Sequence, residues 1–207
     1  MSRIHMRLRR FRSAREGATI VEFALVLAPF LVLVLGLLDL GFRTYVNVML
    51  QGALNEAARQ ETIGGVDQSA LTAFVQGRMS TIVPQGTSGG TPVGTVTITP
   101  SSYYNYTGIG TMEPLTKDAN NNNLLDIGDC FTDYNGDNVR DTNSGGTGLG
   151  GSDDIVYYTA TITFPSFVPM ALLLGHDQLT ETVSATTMFK NQPYASQPTP
   201  ATVCRTS

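Results

Sequence analysis

The sequence predicts an α+β protein: a long N-terminal transmembrane helix, a second helix, and an antiparallel β-sheet domain. Three observations carry that prediction. Residues 18–38 read ATIVEFALVLAPFLVLVLGLL, with Glu22 the one charged side chain. Residues 47–61 and 67–82 place apolar side chains at helical spacing. Residues 155–164 (IVYYTATITF) and 179–189 (LTETVSATTMF) have the β-branched, alternating character of strands. A chain of 207 residues, 42% of them hydrophobic, has room for one modest folded domain beside a membrane helix.

The first segment, residues 1–17, is basic. Arg3, Arg7, Arg9, Arg10, Arg12 and Arg15 face Glu16 alone, and the chain beyond Gly17 is acidic overall. A basic head, an apolar run and an acidic body describe an exported chain whose head stays in the cytoplasm. Six arginines would also suit nucleic acid, but the apolar run directly behind them does not, so no nucleic-acid partner is expected. The second segment, residues 18–40, has about the twenty apolar residues needed to cross a bilayer core. No small-residue cleavage site comes after it, as would be found after an ordinary secretory signal. Pro29 lies mid-span and predicts a kink or a melted turn unless the membrane helix tolerates it.

Residues 41–84 read as a helical stalk and then the second helix. Val48, Leu50, Ala53, Leu54, Ala57 and Ala58 form the stalk's apolar stripe, and Gly64 and Gly65 end it. Asp67 or Ser69 caps the second helix. Leu71, Phe74, Val75, Met79 and Ile82 form its apolar face, and Pro84 terminates it. Residues 85–191 read as an extracytoplasmic β-rich domain, with strands at 93–99, 155–164 and 179–189. Tyr103, Tyr104 and Tyr106 start another strand or pack as a cluster. Residues 167–174 are apolar but too short to span a membrane; they read as a buried loop or hairpin turn, or else as a partner-binding patch. The glycines at 145–151 read as a flexible loop, and the Pro-rich tail, residues 192–207, as extended chain. Cys130 and Cys204 make an even count in an exported chain, which allows one disulfide tying the tail to the middle of the domain.

Glu22 is the outlier in the span. A carboxylate at the centre of a membrane helix costs on the order of 2.5–3.5 kcal/mol. It sits at headgroup level, is protonated, or has a partner. A cut between Gly17 and Ala18 would supply one, because Glu22 becomes the fifth residue and a new N-terminal ammonium appears beside it or on a neighbouring subunit. The basic leader, Gly17 and the adjoining ATIVEF resemble the class III prepilin site of type IV pilins and pseudopilins. The pair Glu22-Phe23 and the stretch REGATIVEFALVLAPFLVLVLGLLDLG, with Pro29 and Asp39-Leu40-Gly41, resemble the TadE-like family of the Tad/Flp pilus over the first sixty residues or so. That resemblance implies a pilin-like helical spine and cleavage after Gly17 by a prepilin peptidase. It implies a single-pass inner-membrane protein with a cytoplasmic N-terminus and a periplasmic or extracellular C-terminal domain. The implied partners are other pilin or pseudopilin subunits and the Tad inner-membrane platform. The implied role is that of a minor pilin or pseudopilin in pilus assembly and surface adhesion. Gly17 fits such a site because a residue without Cβ lets the backbone enter a protease cleft. A type II secretion minor pseudopilin and a plain membrane-anchored calcium-binding surface module are the alternative readings.

The loop from 118 to 154 carries a local repeat. Asp118, Asn120, Asn122, the carbonyl of Leu124, Asp126 and Asp129 fall at positions 1, 3, 5, 7, 9 and 12 of an EF-hand-like calcium loop. Asn123 stands at position 6, where glycine is usual. A second copy places Asp133, Asn135, Asp137, the carbonyl of Val139 and Asp141 at positions 1, 3, 5, 7 and 9, with Ser144 at position 12. The spacing predicts structural Ca2+ sites, against the simpler reading that Asp, Asn and Gly are turn residues. No catalytic constellation stands out: His5 and His176 are isolated, and no nucleophile elbow, phosphate loop or zinc spacing occurs. The chain is not expected to be an enzyme.

Overall fold

The computed structural model describes residues 16–64, 67–168, 175, 179–192 and 195–206. The chain divides into two compact units, Met1–Thr44 with Ser166–Gln178, and Tyr45–Pro165 with Leu179–Ser207.

In the first unit the dominant element is the N-terminal part of helix α1, Glu16–Gly64. Its apolar side chains face outward: Leu25 is 72% exposed, and Ile20, Val21, Phe23, Val26, Phe30 and Leu37 are likewise open. A helix apolar all round and unburied needs an apolar solvent. Among the described residues it is the one helix long and apolar enough to cross a membrane. Pro29 lies inside it without interrupting it, so no turn is melted there.

The second unit holds the rest of α1 and the β structure. From Tyr45 onward α1 is amphipathic, burying Val46, Leu50, Ala53, Leu54, Ala57 and Ala58. Val48, expected in that stripe, is exposed, and Val46 takes its place. The positions 46, 50, 53, 54, 57 and 58 obey the helical period, and 48 falls on the opposite face. Helix α2, Gln68–Met79, is capped by Asp67, whose carboxylate accepts from the Ala70 N–H at 2.8 Å, while Ser69 Oγ donates to the same carboxylate. It buries Leu71, Val75 and Met79 and ends three residues before the expected Ile82, because the chain tightens into a turn in which Ile82 and Val83 both donate to the Met79 carbonyl.

Nine strands come next among the described residues. β1 (Gly86–Ser88) and β2 (Thr91–Val93) form a hairpin. β3 (Val96–Tyr103), β6 (Gly146–Thr147), β7 (Ile155–Pro165) and β8 (Thr180–Lys190) form an antiparallel sheet in the order β6-β3-β7-β8. β4 (Leu115–Lys117), β5 (Cys130–Asp133) and β9 (Ala201–Cys204) form another, in the order β4-β5-β9. The strand expected at 93–99 is thus split by Gly94, whose φ of +71° breaks the ladder. Tyr103 ends β3, and the glycine stretch contributes β6 rather than only a loop.

Alternation gives the larger sheet two unlike faces. Val156, Tyr158, Ala160, Ile162 and Phe164 of β7 are buried, together with Val96 and Ile98 of β3 and Val183 and Ala185 of β8. The other face is hydroxyl-rich, with Thr161 bonded to Ser184 and Thr163 to Thr182, both at 3.1 Å. Glutamines from the helices occupy main-chain groups at the sheet's margins. Gln68 Nε2 donates to the Ile98 carbonyl, Gln76 bonds both the Gly94 carbonyl and the Val96 N–H, and Gln51 Nε2 donates to the Thr186 carbonyl of β8.

The tail is not merely extended chain. Cys130 and Cys204 face each other across β5 and β9 and form a disulfide. Beyond β9 the Arg205 main chain exchanges hydrogen bonds with Gly128 and Asp129.

Candidate functional site

Two regions carry the residues singled out by sequence. In the first, Gly17, Ala18, Glu22 and Phe23 all lie on α1, exposed. A Cβ built on Gly17 meets nothing within 4 Å, so packing does not require glycine there. Glu22 makes no hydrogen bond or ion pair among the described residues, so the carboxylate in the apolar helix is uncompensated by them. At the far end of the apolar run, Asp39 Oδ1 accepts from Ser166 Oγ at 3.3 Å and from the Val168 N–H at 3.2 Å. Phe42, just beyond it on the helix, packs against Phe167 with ring centroids 5.7 Å apart. Phe167 is 63% exposed, which corrects the expectation of a buried loop for its first residue; residues 169–174 and His176 lie outside the described residues.

The second region is the acidic loop, where the repeat expected from spacing is present in four pairs of hydrogen bonds offset by fifteen residues. At position 1, Asp118 accepts from the N–H groups of Asn122 and Asn123, and Asp133 from those of Gly136 and Asn138. At position 3, Asn120 and Asn135 accept from the N–H two residues on and donate Nδ2 to Asp126 and Asp141, at 2.9 and 2.8 Å. At position 5, Asn122 and Asp137 accept from the N–H groups of Leu124 and Val139. Positions 4 and 6 are left-handed in both copies: Asn121 and Asn123 at φ 56° and 60°, Gly136 and Asn138 at 79° and 65°. Asparagine and glycine are the residues that take this conformation most readily.

The closing acid differs between the copies. In the first, Asp129, buried at position 12, accepts from the N–H groups of Ala119 and Asp126. In the second, Ser144 turns away, and its Oγ donates to the Gly108 carbonyl. Its place is taken by Glu113, fully buried, which accepts from the N–H groups of Tyr134 and Asp141 at 2.7 and 3.2 Å. These are the matching positions 2 and 9. Glu113 was missed by sequence reasoning, which looked for the closing acid downstream. The available signal was an acid alone in the uncharged stretch TGIGTMEPL. Burial raises the Glu113 carboxyl above its ordinary range, against the lowering effect of the two N–H donors. The Asn120 and Asn122 amides hold the Asp126 carboxyl below its ordinary range. Arg140 ties the copies together, donating Nε to the Glu113 carbonyl and a guanidinium N–H to the Asn123 carbonyl.

As a metal cradle the loops offer oxygen donors only, the set calcium prefers. Hydrogen bonds link Asn120 and Asn122 to Asp126 and the Asn122 N–H to Asp118 in the first loop, and Asn135 to Asp141 in the second. Among the described residues no three carboxylate, thiolate or imidazole side chains converge. The donor set therefore fits calcium only with asparagine and main-chain oxygens included.

One exposed apolar helix of membrane length on an α+β body defines the class: a protein with features consistent with a single membrane anchor. Within that class residues 17–59 match the family described as TadE-like protein, so the chain carries a TadE-like domain over α1. No curated protein and no solved structure matches the chain.

Proposed function

We propose that this chain is a minor pilin or pseudopilin of a Tad-type pilus, a structural subunit and not an enzyme. It is anchored in the bacterial inner membrane by residues 18–40 with its N-terminus in the cytoplasm. A prepilin peptidase removes residues 1–17. The observation that carries the reading is Glu22, a carboxylate with no partner among the described residues, on the exposed apolar face of the TadE-like helix. A carboxylate left alone costs on the order of 2.5–3.5 kcal/mol at mid-membrane and less near the end of a span, where Glu22 lies. Cleavage after Gly17 creates an ammonium four residues away, and packing of apolar helices side by side brings the same group from a neighbouring subunit. Gly17 supports the reading too. Glycine costs about 1 kcal/mol in a helix relative to alanine, and nothing around it here needs the space.

N-terminal sequencing of protein extracted from the membrane is the test. The mature chain starts at Ala18, Gly17→Leu retains residues 1–17, and Glu22→Gln is processed but fails to assemble. Working fibres containing chains that start at Met1 would sink the proposal.

The acidic loops bind structural calcium in this reading, through the Asp118 and Asp133 sets. The fifteen-residue offset shared by four pairs of their hydrogen bonds supports it. Bound calcium would neutralise the clustered acids and order the loop. Exported sites of this kind bind at roughly 10⁻⁴–10⁻³ M, and a ligand at a hundred times its Kd stabilises by about 2.7 kcal/mol. The melting temperature should rise with added Ca2+ and fall with chelator, and Asp118→Asn with Asp133→Asn should abolish the response. A flat melting curve up to about 10 mM calcium, well above that range, rules the sites out.

A further inference from the structure

We propose that the turn leaving β7, centred on Phe167, is a second membrane contact, seated at the boundary between headgroups and acyl chains beside the end of the apolar helix. The proposal rests on the reading of residues 18–38 as a membrane span.

The twenty-one residues from Ala18 to Leu38 extend about 31 Å as a helix, close to the thickness of a bilayer's hydrocarbon core. Asp39 therefore marks the boundary, and Phe42 lies within one further turn. Ser166, Phe167 and Val168, directly after β7, meet the helix at this level. Ser166 Oγ and the Val168 N–H both bond Asp39 Oδ1, and the Phe167 ring lies 5.7 Å from that of Phe42. Ser166–Gln178 belongs to the same compact unit as the apolar helix, not to the unit of the two strands it joins.

Chemistry identifies the occupant. Phe167 is largely exposed although its neighbours in the turn are anchored by the Asp39 carboxylate. Beyond its contact with Phe42 the ring remains open; in water that apolar area stays hydrated, whereas at the boundary with the acyl chains it is buried. Continuity with the apolar helix selects lipid over a protein groove. The depth is limited as well. Irregular backbone exposed to lipid cannot enter the hydrocarbon, because its N–H and C=O groups would go unsatisfied. At the boundary, water and headgroups satisfy them.

The chain contains no tryptophan, so single tryptophans report position without background. The full chain is reconstituted in phosphatidylcholine–phosphatidylglycerol vesicles with brominated acyl chains, which quench tryptophan on contact. Three variants at exposed positions are compared: Phe167→Trp at the turn, Phe23→Trp in the helix, and Ile127→Trp in the acidic loop. The expected result is that the first two lose most of their emission and the third keeps it. Asp39→Leu should release the Phe167→Trp signal, while Asp39→Asn, which keeps Oδ1, should retain it. Quenching at Phe23→Trp with an unquenched, water-like Phe167→Trp overturns the proposal and leaves the anchor standing. No quenching at Phe23→Trp overturns the anchor and the proposal with it. A Phe167→Trp signal unchanged by Asp39→Leu overturns the latch assigned to Asp39.

Discussion

Glu113 and Asp129 hold equivalent main-chain N–H groups in two successive loops, one reaching forward from upstream and the other back from the loop's own end. Each is buried, and each accepts from positions 2 and 9 of its loop.

Removing either acid should therefore loosen one loop and spare the other. Glu113→Ala orphans the Tyr134 and Asp141 N–H groups, and Asp129→Ala those of Ala119 and Asp126. Each orphaned group costs about 1–3 kcal/mol. Hydrogen exchange should show lost protection at Tyr134 and Asp141 only for the first variant, and at Ala119 and Asp126 only for the second. Both loops opening in either variant would contradict the repeat.

Acidity should act on the loops in opposite directions. The folded-state pKa of Glu113 is raised by burial, so its contribution to stability is most favourable below the ordinary carboxylate value and is lost as pH rises through the raised one. That of Asp126 is lowered by Asn120 and Asn122, so its contribution is present above the ordinary value and is lost as pH falls through the lowered one. Raising pH from about 4, the ordinary carboxylate pKa, should weaken the loop closed by Glu113 and leave the loop around Asp126 intact. Hydrogen exchange corrected for intrinsic pH dependence reads both. Glu113→Gln should flatten the first trend and leave the second.

The disulfide closes a segment with a sequence separation of 74. In the chain-entropy model a loop of that length is worth about 4.5 kcal/mol. Cys130→Ser with Cys204→Ser should lower the melting temperature accordingly. It should also free β9, and Arg205 with it, from the first acidic loop. Exchange protection of the Arg205 N–H, which donates to the Asp129 carbonyl, tests the second effect.

Gly94 should resist substitution. Its φ is +71°, and a Cβ there would collide with the Pro84 carbonyl oxygen and approach Gln85 Cα to 2.9 Å. The blocking atoms are backbone, so Gly94→Ala should destabilise by about 1–3 kcal/mol. Gly110, also left-handed but with open space around it, provides the milder control. Thermal denaturation of the two variants gives the comparison.

The elements legible in sequence are those decided locally. The span, the amphipathic stalk and the alternating strands β7 and β8 depend on composition and period alone. The elements that sequence misreads depend on distant partners. β9 forms because β5 and the disulfide hold a Pro-rich tail in register. β6 forms because Ser101 and Ser102 pair with two small residues, Thr147 and Gly146. Spacing marks both acidic loops, since each supplies its own positions 1 to 9. It cannot find Glu113, which closes its loop from twenty residues before the loop begins. Asp39 reads in sequence as the end of the apolar run; its bonds to the β7–β8 connection arise from residues more than a hundred positions away.

The glutamines bonded to the margins of the large sheet restrict how copies of this chain can associate. An open strand is a template that recruits a foreign strand, but Gln68 and Gln76 already occupy groups along the outer side of β3, and Gln51 interrupts the middle of β8. Pairing with a foreign strand is disfavoured at these two borders of the larger sheet.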